Sequence, residues 1–216
     1  MTIKVAIDGP AGAGKSTVAK KLAEKLRFTY IDTGAMYRAL TYKILKDCID
    51  INDKDKIIDL AKKCDLKLKG DKIFLNNINV TDMIRNQDVT EKVSLISKIP
   101  EVRDIMVQLQ KSMSQTSNVI MDGRDITTVV MPDAQFKFYL TASDEIRAKR
   151  RYDELKEKNI DVKFEDILCD IKRRDKIDME RDVAPLKISE DAIVIDTSYM
   201  SIDEVVDKLY GIIAKK

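Results

Sequence analysis

The sequence predicts an α/β fold: a five-stranded parallel sheet covered by helices on both faces, interrupted by a small antiparallel β insertion. Two observations predict it. Five short apolar runs, at 3–7, 28–31, 119–121, 136–140 and 192–195, are separated mostly by helical patterns, and such alternation places parallel strands between two layers of helices. The stretch from about 64 to 98 breaks that rhythm with alternating segments and turn residues, the pattern of short hairpins.

The first run, Ile3-Lys4-Val5-Ala6-Ile7, reads as a buried strand. It feeds Gly9-Pro10-Ala11-Gly12-Ala13-Gly14-Lys15-Ser16-Thr17, which holds three of the chain's seven glycines and completes G-x-x-x-x-G-K-[ST]. Glycines let the backbone curl so that successive N–H groups point at a polyphosphate. Lys15 brings a positive charge to the β/γ-phosphates, and the Ser16 hydroxyl suits a direct place in a Mg²⁺ shell. Residues 15–26 carry Val18, Leu22 and Leu26 at i, i+4 and i+8 and read as the helix leaving the loop. An ordinary glycine-rich turn is the alternative; the strand–loop–helix setting argues against it.

The second run ends in Asp32, followed by Thr33-Gly34-Ala35-Met36-Tyr37-Arg38. An acid, a hydroxyl, a glycine and an arginine then stand at the carboxyl edge of the sheet, where open α/β sheets bind ligands. The same residues read equally well as a helix N-cap with a surface arginine. In the insertion, Leu66-Lys67-Leu68-Lys69 alternates, Gly70-Asp71 turns, and Asn76-Asn77 separates two further short strands, Lys72-Ile73-Phe74-Leu75 and Ile78-Asn79-Val80. A helix opened by Pro100 carries Val102, Ile105, Met106, Leu109 and Met113 on one face. The third run leads into Met121-Asp122-Gly123-Arg124-Asp125; a lone Asp-Gly is a turn, but an acid ending a buried strand beside a phosphate loop matches the position that assists Mg²⁺. Two charged helical patterns follow at 143–158 and 164–179, with Arg147, Arg150 and Arg151 on the first and Arg174, Asp178 and Arg181 at i, i+4 and i+7 near the end of the second. Such charges by default form a solvated face; beside a phosphate loop they gain the task of clamping phosphates. A final helix over 201–214 closes the chain.

Composition narrows the chemistry. The 39 basic and 37 acidic residues leave a net charge of +2, which gives no broad electrostatic case for nucleic acid. No apolar stretch approaches 18 residues, so neither membrane spanning nor secretion is expected. Cys48, Cys64 and Cys169 are odd in number and form no C-x-x-C; buried, reduced thiols in a cytoplasmic protein are expected. There is no histidine, which removes imidazole bases and histidine-held metals. A hydroxyl acceptor would call for a base such as Asp32. A phosphate monoester, mostly dianionic at neutral pH, needs none, but it requires many arginines to hold two repelling anions in line. Three arginine-containing clusters suit the second case.

Residues 7–17, D-T-G-A-M-Y-R at 32–38, D-G-R-D at 122–125 and Arg181-Asp182-Val183-Ala184-Pro185-Leu186 together resemble the bacterial cytidylate kinases, over nearly the whole chain. The resemblance implies a P-loop kinase of three layers. Its core would be residues 1–63 and 99–216, with a lid at about 143–180, and the 64–98 insertion would be the monophosphate-binding lobe. It implies ATP with Mg²⁺ at residues 9–17, Arg150 also touching ATP, and Asp122 reaching the metal through water. CMP or dCMP would sit among Thr33, Ser94, Arg103 and Asp125, with Asp178 and Arg181 near the ribose and Arg38, Arg124 and Arg174 on phosphates. Lys15, Arg124 and Arg174 would be catalytic, in a monomer. Departures are few: Thr33 stands where some relatives have Ser, Ser16 where some have Gly, and Ile177 where some carry a charge. Two rivals share the loop: a shikimate-type kinase acting on a hydroxyl, and a nucleotide switch or nucleic-acid-linked ATPase.

Overall fold

The structure is a computed structural model and describes residues 2–115 and 117–215. The expected sheet is present. β1 (Lys4–Asp8) leads to α1 (Lys15–Leu26), β2 (Thr29–Asp32) and α2 (Thr33–Lys46), then α3 (Lys54–Lys63). The antiparallel strands β3 (Leu66–Lys69), β4 (Lys72–Leu75) and β5 (Ile78–Asn79) come next, followed by α4 (Gln87–Ser97) and α5 (Pro100–Met113). β6 (Val119–Asp122), β7 (Phe136–Thr141), α6 (Asp144–Glu157), α7 (Phe164–Glu180), β8 (Ile193–Asp196) and α8 (Ile202–Ile213) complete it. The five-stranded sheet runs β2-β6-β1-β7-β8, with every described pair parallel. β1 lies at its centre, where connections leave toward opposite edges, the topological position at which such sheets bind ligands.

Both faces are sealed by apolar side chains. Val18 and Leu22 of α1 and Val205, Val206 and Leu209 of α8 pack on Ile7, Ile120, Phe138 and Ile195. On the other face Ala6, Ile31 and Met121 meet Ile126, Val130 and Met131, with Val107 and Met113 of α5 against them. A further cluster joins α2, α3, α4 and α5 to the inner side of the three-stranded sheet through Leu40, Ile57, Ile73, Leu75, Ile96 and Met106. The turn chemistry of that small sheet is as read: Asn76 and Asn77 both take positive φ (49° and 64°), as a two-residue hairpin turn needs. Val80 falls outside β5, although its N–H still donates to the Ile73 carbonyl at 3.0 Å.

The cysteines depart from expectation. All three are free, but Cys48 and Cys169 are exposed and Cys64 is half-buried. Cys48 follows the end of α2 with φ 53°, beyond the helical face that packs, and Cys169 lies on the outer face of α7.

Gly9 is required by contact as well as by conformation. It sits at φ +148°, and a Cβ there would lie 1.9 Å from the Leu140 carbonyl oxygen. Gly70, at φ +60°, has nothing within 4 Å of its would-be Cβ. Gly70→Ala should therefore cost only its left-handed backbone, about 1 kcal/mol, while Gly9→Ala must displace a central strand and costs roughly 3 kcal/mol or more. Urea unfolding of the two variants measures both; equal losses would show that Leu140 yields freely.

Candidate active site

The carboxyl ends of β1, β2 and β6 open into a cleft of about 610 Å³. Eight cationic side chains and five carboxylates line it, a surplus of three positive charges in a chain whose net charge is +2. The basic residues that composition spread evenly are thus gathered at one place. Ala11, Gly12, Gly14, Lys15, Ser16, Thr17, Thr33, Arg38, Ser94, Arg103, Asp122, Arg124, Asp125, Arg150, Arg174, Asp178 and Arg181 all line it. Three residues of the loop do not. Gly9 faces Leu140, Ala13 is buried in the core beneath α1, and Pro10 lines a different cavity. Arg147 does not line the cleft either. It is 3% exposed and held by the Ala11 and Ala142 carbonyls and Asp175.

The loop end is built on the start of α1. Gly14 caps that helix in the left-handed region (φ 83°) with no side-chain cap, so the first helical N–H groups and the positive end of the helix dipole face the cleft. Lys15 is buried, and its Nζ donates to the Pro10 carbonyl at 2.7 Å. Burial, then the neighbouring Arg124, pull its pKa well below the usual lysine value.

Asp32 and Asp122 are direct register partners on β2 and β6. Asp122 accepts from Ser16 Oγ at 2.7 Å and from the Tyr30 hydroxyl at 2.8 Å. Burial and then the charge of Asp32 push its pKa up to about 6. Tyr30 is held protonated by burial and by the Asp122 and Asp32 charges, so it remains a donor. Hydroxyl and carboxylate oxygens meeting beside a phosphate loop fit Mg²⁺, which keeps several waters and takes few protein ligands. No cluster of three or more acidic, cysteine or histidine ligands exists among the described residues, as a metal shared with phosphates and water allows.

Asp32 resolves its two readings by serving both. It caps α2, accepting from the Ala35 N–H at 2.8 Å, and its other oxygen takes Arg38 at 2.9 Å. Thr33 donates to the Asp122 carbonyl at 2.7 Å. At the far end, Arg103 is 2% exposed and paired with Asp125. It also donates to the Ser97 carbonyl at 3.0 Å and lies over the Tyr37 ring at 5.5 Å. Arg181 stands 3.7 Å from both Asp125 and Asp178, and Arg124 donates to Asp178 at 2.9 Å. Arg174 has no ion pair among the described residues; burial first, then Arg124 and Arg38, draw its pKa down to about 10, which leaves it charged at neutral pH. Buried polar atoms without a hydrogen-bond partner occur on Tyr37, Arg38, Arg103, Arg174 and Arg181, all cleft residues, and otherwise only on Gln110 among the described residues. Each costs on the order of 1–3 kcal/mol unless an acceptor meets it, so their gathering marks a site for an acceptor-rich ligand.

Several contributors carried weak sequence signals. Tyr37 and Ser97 line the cleft. Asp8 sits wholly buried and accepts from Ile126 N–H, Thr127 N–H and Thr127 Oγ1 at 2.6–2.9 Å. It pins the turn after D-G-R-D, residues Ile126–Val130, in a single wide helical turn. An acid closing an apolar strand was its only signal.

The folded-state pKa of Asp122 lies above its unfolded value of about 4. The folded protein therefore takes up a proton between pH 6 and 4 that the unfolded chain does not. This site adds stability as pH falls through that window and costs stability at neutral pH. Asp122→Asn is expected to stabilise the nucleotide-free protein at pH 7.5 by about 1–3 kcal/mol and to flatten the pH 4–6 limb; denaturant unfolding across pH checks both.

Comparison with known proteins agrees with this geometry. The cytidylate kinase family model matches residues 5–215. A cytidylate kinase of Caldanaerobacter subterraneus subsp. tengcongensis is 55% identical over 215 residues, covering 100% of this chain and 96% of its own. One of Bacillus subtilis is 48% identical, covering 99% and 97%. Among solved structures, a shikimate kinase from Bacteroides thetaiotaomicron superposes with a TM-score of 0.51 at 11% identity, over 98% of each chain; at that identity the likeness concerns the fold alone. With its phosphate loop, its acid–arginine clusters and its whole length matched, the chain belongs to the cytidylate kinase family.

Proposed function

We propose that the cleft binds ATP at the loop end and CMP or dCMP at the far end, and passes the γ-phosphoryl group between them in line to give ADP with CDP or dCDP. As a member of its family the chain is a nucleoside monophosphate kinase. One continuous cleft, with the loop at one end and Arg103, Asp125 and Arg181 at the other, supports this division. Loop N–H groups, Lys15 and Arg150 take the ATP side. Ser94 and Asp125 suit the cytosine N4 amine as acceptors, and an arginine such as Arg103 suits its O2. Asp178 and Arg181 are assigned to the ribose, and Thr33, Arg38, Arg124 and Arg174 to phosphate oxygens. The insertion at 64–98 acts as the monophosphate-binding lobe, and 143–180 as the lid. No helix among the described residues is long and apolar enough to cross a membrane; we read the protein as a cytoplasmic monomer that binds no nucleic acid.

The acceptor phosphate is its own nucleophile, so no side chain need remove a proton. What remains is to hold two anions together and to stabilise the charge spreading over the transferred group. Lys15, Arg124 and Arg174, which all line the cleft, are assigned that stabilisation. Mg²⁺, when bound, neutralises donor phosphate oxygens; Ser16 would hold it directly and Asp122 through water.

A panel of nucleoside monophosphates with ATP, read by mass detection of the diphosphate, tests the substrate. Turnover with CMP and dCMP is expected, and strong turnover with AMP or UMP but none with CMP would overturn the assignment. Lys15→Ala should lower kcat about a thousandfold or more while CMP affinity, measured by calorimetry, stays within a few-fold. Equal loss of both would place Lys15 elsewhere.

A further inference from the structure

The geometry points to Arg147 and Asp175 as a clamp on the phosphate loop, two positioning residues that set the loop's shape from the helices α6 and α7. The Arg147 guanidinium donates to the Ala11 carbonyl at 2.7 Å and lies 2.6 Å from Asp175. Asp175 in turn accepts from the Ala11 N–H at 3.1 Å. Both backbone polar groups of one loop residue are therefore held by side chains 136 and 164 residues away in sequence. Arg147 is fixed further by the Ala142 carbonyl at 3.0 Å and by Asp144. Gly12 completes the fit, since a Cβ there would come 3.1 Å from the Arg147 Cβ.

A buried ion pair of this kind does not in general add net stability, because desolvation offsets the attraction. Its effect here is geometric. A turn that wraps phosphate must keep its carbonyl dipoles away from the anion, and Arg147 draws the Ala11 carbonyl toward α6. Asp175 fixes the neighbouring peptide in the same way. α6 and α7 pack on each other through their own small cluster, Ala148, Ile167 and Ile171 with Tyr152, Leu155 and Phe164, and so form a unit. Any displacement of that unit is transmitted to Ala11 through the clamp. Donor affinity should depend on it more than acceptor affinity, because Asp125, Arg103 and Ser94 lie on other elements, while Arg174 and Asp178 share α7 with Asp175 and carry a smaller effect to the acceptor.

The proposal rests on assigning residues 9–17 to ATP. Calorimetry with a non-hydrolysable ATP analogue and Mg²⁺, and separately with CMP, tests it. Arg147→Met/Asp175→Leu replaces the pair with apolar side chains of similar volume; it relieves the desolvation of the ion pair but leaves the Ala11 N–H and the Ala11 and Ala142 carbonyls without these partners, so melting should fall and binding is read well below it. The double change is expected to weaken the analogue at least tenfold and CMP by a clearly smaller factor. Arg147→Lys keeps the charge but cannot fork onto Ala11 and Asp175 together, and should show a smaller loss for the analogue alone. Unchanged analogue affinity in whichever of these variants folds, or equal loss for both ligands, overturns the clamp. Lys15→Ala separates the underlying assignment: a wild-type protein that fails to bind the analogue, or a Lys15→Ala protein that binds it equally well, removes the donor site itself.

Discussion

The crowding of like charge is the constraint on which the rest of the structure depends. Eight cations share one cleft of about 610 Å³, and at such spacing their repulsion in a partly dry environment amounts to several kcal/mol per close pair. The fold answers with a carboxylate for most of them. Asp32 holds Arg38, Asp125 holds Arg103, and Asp178 holds Arg124. Removing one member of such a buried pair strands the other, a loss of about 3–5 kcal/mol. The carboxylates also fix where each guanidinium points, so little reorganisation remains when the substrates arrive.

That arrangement depends on the parallel sheet. Asp8, Asp32 and Asp122 end neighbouring or near-neighbouring strands at the same edge, yet they do three different things. Asp8, satisfied by three donors, is scaffold. Asp32 caps a helix and tethers an arginine. Burial resists ionisation of both Asp8 and Asp122, but Asp122 faces Asp32 and is joined to Ser16 and Tyr30 at the cleft. The chemical difference comes from donors and burial, since the residue type and strand position are the same.

Much of this was legible in the letters. The strand runs, the phosphate loop and the edge acids depend on local patterns, and periodicity with glycine spacing reports such patterns directly. The Asn76-Asn77 turn was legible for the same reason, since asparagine tolerates positive φ. What could not be read depends on side-chain direction. Arg147, Arg150 and Arg151 share one face of α6 at i, i+3 and i+4, but the Arg147 guanidinium is taken by the Ala11 carbonyl and Asp175 while Arg150 and Arg151 line the cleft, a division that depends on tertiary partners rather than on spacing. The wide turn at Ile126–Val130 depends on Asp8, more than a hundred residues earlier. The exposed Cys48 and Cys169 show the converse: a residue type that is commonly buried says nothing about whether it falls on a turn or on the outer side of a helix.

The absence of histidine ties these features to the chemistry. Most transfer reactions near neutral pH are governed by a base whose pKa lies close to 7, and this chain holds no imidazole to supply one. Asp122, near 6, is the cleft carboxylate displaced toward that region, and a phosphate monoester also ionises near 6. Asp122 and a bound phosphate monoester would therefore gain their negative charge over the same pH range. Control by pH lies in how much negative charge the surplus of cations must balance. An array of tethered arginines, with Arg174 free of ion pairs among the described residues, suits that balance and has no need of a proton acceptor of its own.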